Sequence, residues 1–166
     1  HLIAEMLEYH DKSKFEIFGF YLGRKINYED TWHERVKKSF DKFFDVSSLT
    51  EAQISEISIA EEIDIAIDLM AHCNNGMENR FGAFVIGCAP LQVNFLGYPG
   101  TSGAKSIDYI IADKNLISDE NEKFYTEKVP PREKKISRCQ TKVSFFPKTI
   151  DEKKIYPKHK WFKKFE

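Results

Sequence analysis

The sequence contains no run of 18 apolar residues, and no charged-then-apolar leader stands ahead of a small-residue cleavage site. Neither a membrane-spanning helix nor a signal peptide is expected. Cysteine is scarce: Cys73, Cys88 and Cys139 are odd in number and far apart, which fits reduced cytosolic thiols better than a disulfide framework. No metal-ligand spacing joins them to the five histidines, so no metal is expected. A net charge of −1 argues for no particular partner. The G-x-G-x-x-G fingerprint is missing, Gly97-Tyr98-Pro99-Gly100 has the wrong spacing, and Pro99 has no N–H to offer a phosphate. No Gly-Lys-Ser/Thr follows, which removes a Walker loop and disfavours a flavodoxin-like or nucleotide-binding domain.

What is present is 166 residues, enough for one domain with a real core. Hydrophobic spacing switches between about 3.6 and short apolar runs, the pattern of helices alternating with buried strands in a parallel α/β sheet. Residues 1–9 read as helix, Phe15 to Leu22 as strand, Tyr28 to Ser39 as a charged amphipathic helix, and Phe43 to Ser47 as a short strand. Ser48-Leu49-Thr50-Glu51 has capping-box spacing and opens a helix to about Glu61. Ile63 to Met70 is a strand whose apolar density predicts a buried central position. Asn79 to Cys88 reads as helix, Leu91 to Leu96 and Asp108 to Ala112 as strands, and Ser118 to Lys128 as a last helix.

Open α/β sheets bind ligands at the carboxyl ends of their strands, so two loops qualify as a site: Ala71 to Glu78 and Gly97 to Ala104. If their strands are neighbours, both loops line one cleft. The second has glycines at 97, 100 and 103, which remove Cβ shielding, and adds the hydroxyls of Thr101 and Ser102. A rigid strand-to-helix connection is the plainer reading of the same residues. Asp64 and Asp68 share one strand face and suggest paired carboxylates; the plainer reading has Asp68 bonding a loop amide, as Asp108 and Asp113 would around their own strand. His72 beside Cys73 suggests a nucleophile pair, but sequence neighbours seldom point at each other and no orienting third group is evident. From Lys128 onward stand thirteen Lys/Arg against four Asp/Glu, interleaved with Phe145, Phe146, Tyr156, Trp161, Phe162 and Phe165. Such a tail suits nucleic acid or phosphate, or is a solvated amphipathic segment.

The run from Ala89 to Ala104, with Leu96-Gly97-Tyr98-Pro99-Gly100-Thr101-Ser102-Gly103 at its heart, followed by Ile107-Asp108-Tyr109-Ile110-Ile111-Ala112-Asp113, resembles the catalytic region of the O-linked N-acetylglucosamine transferase (SPINDLY-like) family. His1-Leu2-Ile3 with His10 to Phe18, Ile63 to Met70, and Arg80 to Phe84 also fit. The resemblance implies a three-layer Rossmann-like lobe, the N-terminal half of a GT-B glycosyltransferase, over residues 1–128. Residues 129–166 form a basic, aromatic-containing tail towards a second lobe. It further implies transfer of N-acetylglucosamine from UDP to protein Ser or Thr hydroxyls, no required metal or cofactor, tetratricopeptide repeats in the same full-length chain, and a cytoplasmic location. Leu96, Gly97, Tyr98 and Pro99 match the sugar-contacting loop, and His1 matches a family histidine. The family's Asp-Phe-x-x-His segment would precede His1, the chain reads as cut at both ends, and the fragment is expected to be inactive alone. After Met70 the loop is longer than the family's by about three residues, which is read as variation within the family. The competing class is a non-catalytic α/β binding module with a basic tail for acidic protein or nucleic acid.

Overall fold

The computed structural model describes residues 3–23, 31–73 and 79–130. In chain order the elements are α1 (Ala4–Glu8), β1 (Phe18–Tyr21), α2 (Thr31–Ser39), β2 (Lys42–Asp45), α3 (Glu51–Ala60), β3 (Ile65–Asp68), α4 (Phe81–Ile86), β4 (Leu91–Phe95) and β5 (Tyr109–Ile111). The alternation of helix and strand read from the hydrophobic spacing is present, with each strand shorter than the apolar run that announced it. The chain divides into two compact units, His1–Leu49 with Gly76–Glu78, and Thr50–Asn75 with Asn79–Glu166.

In the first unit β1 and β2 pair in parallel, Phe18 opposite Lys42 and Tyr21 opposite Asp45. The rings of Phe20 and Phe44 stack across that register with centroids 5.2 Å apart, a cross-strand contact of the kind that sets strand alignment. Asp41 fixes the strand entry, its Oδ2 accepting the Ile17 N–H at 2.8 Å and its Oδ1 meeting Lys12 Nζ at 3.1 Å. Helices α1 and α2 are joined by a bidentate pair, Arg35 Nε and Nη2 donating to the two Glu8 oxygens at 2.6 and 2.7 Å.

The second unit carries a parallel sheet in the order β3-β4-β5. Its central strand is β4, buried over Leu91, Gln92, Val93 and Asn94. The expectation that the Ile63 to Met70 strand is central is therefore corrected. Among the described strands β3 lies at the edge, and Ile67 is 41% exposed. Apolar density marked that strand as buried, but density does not tell an edge strand from a central one.

The helix before β3 also starts two residues later than the Ser48 box implies. Thr50 is the N-cap, at φ −76° and ψ 161°; its hydroxyl accepts the Gln53 N–H at 3.3 Å while Gln53 Oε1 accepts the Thr50 N–H at 3.0 Å. Both Ser48–Glu51 and Thr50–Gln53 satisfy the same four-residue rule. The turn closed by Leu49 N–H on Val46 O consumes the first. Buried serines on α3 then tie it to the end of α4, Ser55 Oγ donating to Gly87 O at 2.6 Å and Ser58 Oγ to Cys88 O at 2.7 Å.

Ser118 to Lys128 is not a helix. Only Glu122–Phe124 form a short 3-10 turn, after which the chain extends and lays Lys128 beside Tyr109 as a parallel bridge. The Ile110 N–H donates to Lys128 O at 3.0 Å and the Lys128 N–H to Asp108 O at 2.9 Å, so the segment continues the ladder beyond β5. Sheet pairing and packing of Tyr125 and Val129 on the buried Ile110, Ala112 and Ile117 win over local helix preference; Phe124, which a helix would need to bury, is 67% exposed.

Candidate functional site

The register of β3 on β4, Asp68 opposite Asn94, brings the exits of both strands side by side. The described start of the first loop, Ala71 to Cys73, and the second loop, which sequence reasoning could only join conditionally, are therefore neighbours. Their contact is backbone on backbone: a Cβ on Gly97 would lie 2.0 Å from Leu69 O and 3.0 Å from Met70 Cα. Only glycine lets the second loop pass so close to the first.

Each strand ends in unusual backbone geometry. Ala71 has φ 43° and Leu96 has φ 75°, a region that side-chain-bearing residues enter at a cost of about 1–2 kcal/mol. Leu96 is the centre of a tight turn closed by Gly97 N–H on Phe95 O at 2.9 Å, and its side chain is 47% exposed. Strained residues of this kind persist where surrounding contacts hold them, and they cluster at ligand sites.

Those contacts come from side chains that grip loop carbonyls. Cys73 Sγ donates to Gly97 O at 2.9 Å, His72 Nε2 to Ser102 O at 2.8 Å, and Tyr125 Oη to Pro99 O at 2.9 Å. The His72 ring also packs against Phe81 and edge-on against Tyr98, centroids 5.0 and 5.4 Å away. Below, Asp68 Oδ1 accepts the N–H groups of Met70 and Ala71 at 2.9 and 3.0 Å, which settles it as a loop anchor and not half of an acid/base pair; Asp64 is exposed at the strand entry. Asp108 and Asp113 likewise accept backbone N–H groups, of Gln92 and of Asn115 and Leu116.

The hydroxyls expected to face a ligand are turned inward. Ser102 is buried, and the Glu127 carboxylate accepts its N–H at 2.6 Å, its Oγ–H, and the Thr101 Oγ1–H at 2.7 Å. Burial alone would raise the Glu127 carboxyl, but the Ser102 and Thr101 hydroxyls outweigh it and hold it below the ordinary glutamate value. Cys88, buried at the base of β4, is pushed up to about 11 by burial and then by the charge of Asp68, so its thiol is inert at neutral pH.

Of the residues expected to bind substrate, Leu96, Gly97, Tyr98 and Pro99 fall together on the loop after β4, while His1 lies outside the described residues. The backbone N–H groups of Tyr98 and Gly100 have no partner among the described residues. His72 and Cys73 are no nucleophile pair, since each bonds a different carbonyl. They are nonetheless part of the site, and the strand register was the signal that would have placed them there. Glu127 was missed because it fell inside an expected helix. Among the described residues no group of three His, Cys, Asp or Glu side chains is arranged to hold a metal ion, and no helix is long and apolar enough to cross a membrane.

Comparison with known proteins agrees with this geometry. Residues 1–137 match Glycosyl transferase family 41. Over 129 residues the chain is 31% identical to an Arabidopsis thaliana protein named "Probable UDP-N-acetylglucosamine--peptide N-acetylglucosaminyltransferase SEC", covering 78% of this chain and 13% of that protein. It is 32% identical over 114 residues to a Caenorhabditis elegans UDP-N-acetylglucosamine--peptide N-acetylglucosaminyltransferase, covering 68% of this chain and 10% of the other. A solved structure of a mutant Thermobaculum terrenum O-GlcNAc transferase superposes with a TM-score of 0.69 at 28% identity, covering 77% of this chain and 24% of that one. The chain thus spans about an eighth of the length of its curated relatives, and its parallel sheets and helices are a Rossmann-like lobe of a GT-B catalytic region. With the family match extending over most of its length, the chain belongs to glycosyl transferase family 41.

Proposed function

We propose that this chain supplies one wall of the sugar-binding cleft in a larger enzyme that transfers N-acetylglucosamine from UDP-N-acetylglucosamine to Ser or Thr hydroxyls of proteins. The observation that carries the reading is the loop Leu96 to Gly100: its backbone is pressed against the β3 exit, the Gly97 and Pro99 carbonyls are held by Cys73 and Tyr125, and the N–H groups of Tyr98 and Gly100 have no partner among the described residues. Main-chain donors on an immobilised loop suit the hydroxyls and acetamide of a sugar, because their geometry is set before the ligand arrives. Leu96, Gly97, Tyr98 and Pro99 are the substrate-binding residues of this reading, and His1, which matches a family histidine, is included on that resemblance.

In the intact enzyme the acceptor oxygen attacks the anomeric carbon and gives its hydroxyl proton to a base, the bond from that carbon to the UDP oxygen breaks with its electron pair leaving on UDP, and the configuration inverts. Charge on the departing UDP is neutralised by groups outside this chain, in a second lobe towards which residues 129–166 lead. No metal is needed for the step. The reading also places the enzyme in the cytoplasm and tetratricopeptide repeats in the same full-length protein.

The test is transfer of labelled N-acetylglucosamine to Ser/Thr peptides by a longer protein containing this chain, with and without Gly97→Ala. Displacing the loop by about 1 Å is expected to cost on the order of a hundredfold in kcat/KM. Absence of transfer, or a Gly97→Ala enzyme as active as its parent, would overturn the reading.

A further inference from the structure

The segment Tyr125–Lys128 returns to the sheet edge and grips the glycine loop at three residues, Pro99, Thr101 and Ser102. Tyr125 donates its hydroxyl to Pro99 O, the Thr126 N–H donates to Thr101 Oγ1 at 3.1 Å, and Glu127 is 3% exposed with both carboxylate oxygens occupied. Oε1 accepts the Ser102 N–H and hydroxyl; Oε2 accepts the hydroxyls of Thr101 at 2.7 Å and Thr126 at 3.2 Å. The two loop hydroxyls pass the constraint onward, Thr101 Oγ1 accepting the Gly103 N–H and Ser102 Oγ the Ala104 N–H, each at 3.2 Å. On the far side of the same residue, the Ser102 carbonyl receives His72 Nε2.

A carbonyl oxygen only accepts, so Nε2 of His72 carries the hydrogen, and in the neutral ring Nδ1 is left with a lone pair. Nδ1 has no partner among the described residues, on a side chain that is exposed. Ser102 is therefore held at both ends, its N–H by a buried carboxylate and its C=O by an imidazole.

We propose that Glu127 is the positioning residue of this site, fixing through the Ser102 peptide both the glycine loop and the His72 ring, whose Nδ1 is thereby presented as an acceptor for an alcohol or sugar hydroxyl. The inference rests on the glycosyltransferase reading for which hydroxyl that is, and on the Ser102 hydrogen bonds, beside the packing of the ring on Phe81 and Tyr98, for what holds the ring. The other titratable groups nearby are Tyr125 on Pro99 O, Lys128 with its ammonium 5.9 Å over the Tyr109 ring, Asp108 on the Gln92 N–H, and His72 itself. None of them bonds to the Glu127 carboxylate among the described residues.

Nuclear magnetic resonance of the 15N- and 13C-labelled 166-residue chain tests this without substrate or turnover, so its outcome is separate from that of the transfer assay. In the wild type the Ser102 amide resonance is expected to titrate with the Glu127 carboxyl carbon, at a midpoint below the ordinary glutamate range. In Glu127→Gln, which keeps the side chain's size, the amides of Ser102, Gly103 and Ala104 are expected to exchange about tenfold faster or more, and His72 to lose its Nε2–H preference. A Ser102 amide that ignores the carboxyl titration overturns the proposal. So does a Glu127→Gln protein whose loop exchange is unchanged. Faster loop exchange with an unchanged His72 overturns the coupling to the imidazole. Should Glu127→Gln fail to fold, the wild-type titration decides.

Discussion

Replacing Gly97 with alanine would place a methyl group 2.0 Å from Leu69 O, 2.8 Å from Leu69 C and 3.0 Å from Met70 Cα. Every atom in that set belongs to backbone, so no side chain can rotate away, and separation of the loops by about 1 Å or more is required to restore ordinary contact distances. Overpacking of this kind costs about 1–3 kcal/mol. The retreat also pulls Gly97 O from Cys73 Sγ, now 2.9 Å away, and disturbs the turn at Leu96, which adds about 1 kcal/mol. The total, about 2–4 kcal/mol, corresponds to a fall in Tm of about 4–16 °C for a chain of this size. Gly103→Ala is the internal control. Its Cβ would meet nothing within 4 Å, and only the φ of 69° penalises alanine, by about 1 kcal/mol. Urea and thermal unfolding of the two variants beside wild type measures both. The steric reasoning is refuted if Gly97→Ala unfolds within about 0.5 kcal/mol of wild type, or if Gly103→Ala is the more damaging of the two.

Thr50→Ala removes the N-cap of α3 and is expected to cost about 1 kcal/mol in urea unfolding, with Ser48→Ala close to neutral; the reverse order would restore the Ser48 box. The Glu127 carboxyl lies lower in the folded chain than its ordinary 4.5, so its stabilisation is present above that pH and is lost as pH falls through the lowered value. The stability gap between wild type and Glu127→Gln should accordingly narrow on acidification, and a gap constant from pH 7 to 3 would contradict the assignment. With its thiol pushed up to about 11, Cys88 is about a thousandth thiolate at pH 8. Iodoacetamide should leave the Cys88 peptide unmodified in the native chain and alkylate it in urea, as read by mass spectrometry. The isolated 166 residues should not turn over UDP-N-acetylglucosamine, and turnover would show that the leaving group is stabilised within this chain.

The alternation of helix and strand was legible because buried parallel strands read as apolar runs, and the family was legible because the run around Leu96 to Gly103 carries the resemblance. The loop's place opposite Leu69 and Met70 was not, since it depends on the pairing of Asp68 with Asn94, a long-range register that no local window contains. Polar residues misled in two directions. Thr101 and Ser102 looked ligand-facing, yet both are consumed by Glu127, and Glu127 itself sat in a stretch whose polar composition suited a surface helix. The carboxylates at 68, 108 and 113 were correctly read as anchors for backbone N–H groups, an inference local enough for sequence to support.

The clamp on the glycine loop has a consequence for how the chain is made. Ser102 and its carboxylate partner are 25 positions apart in sequence. At about 5–20 residues per second, a ribosome emits the loop roughly one to five seconds before the residue that holds it. During that interval Ser102 and Thr101 present unpaired hydroxyls and β5 has a bare edge, so the site is the last part of this sheet to acquire its shape. A nascent chain arrested before Tyr125 would carry the family's signature sequence without the geometry that makes it a site.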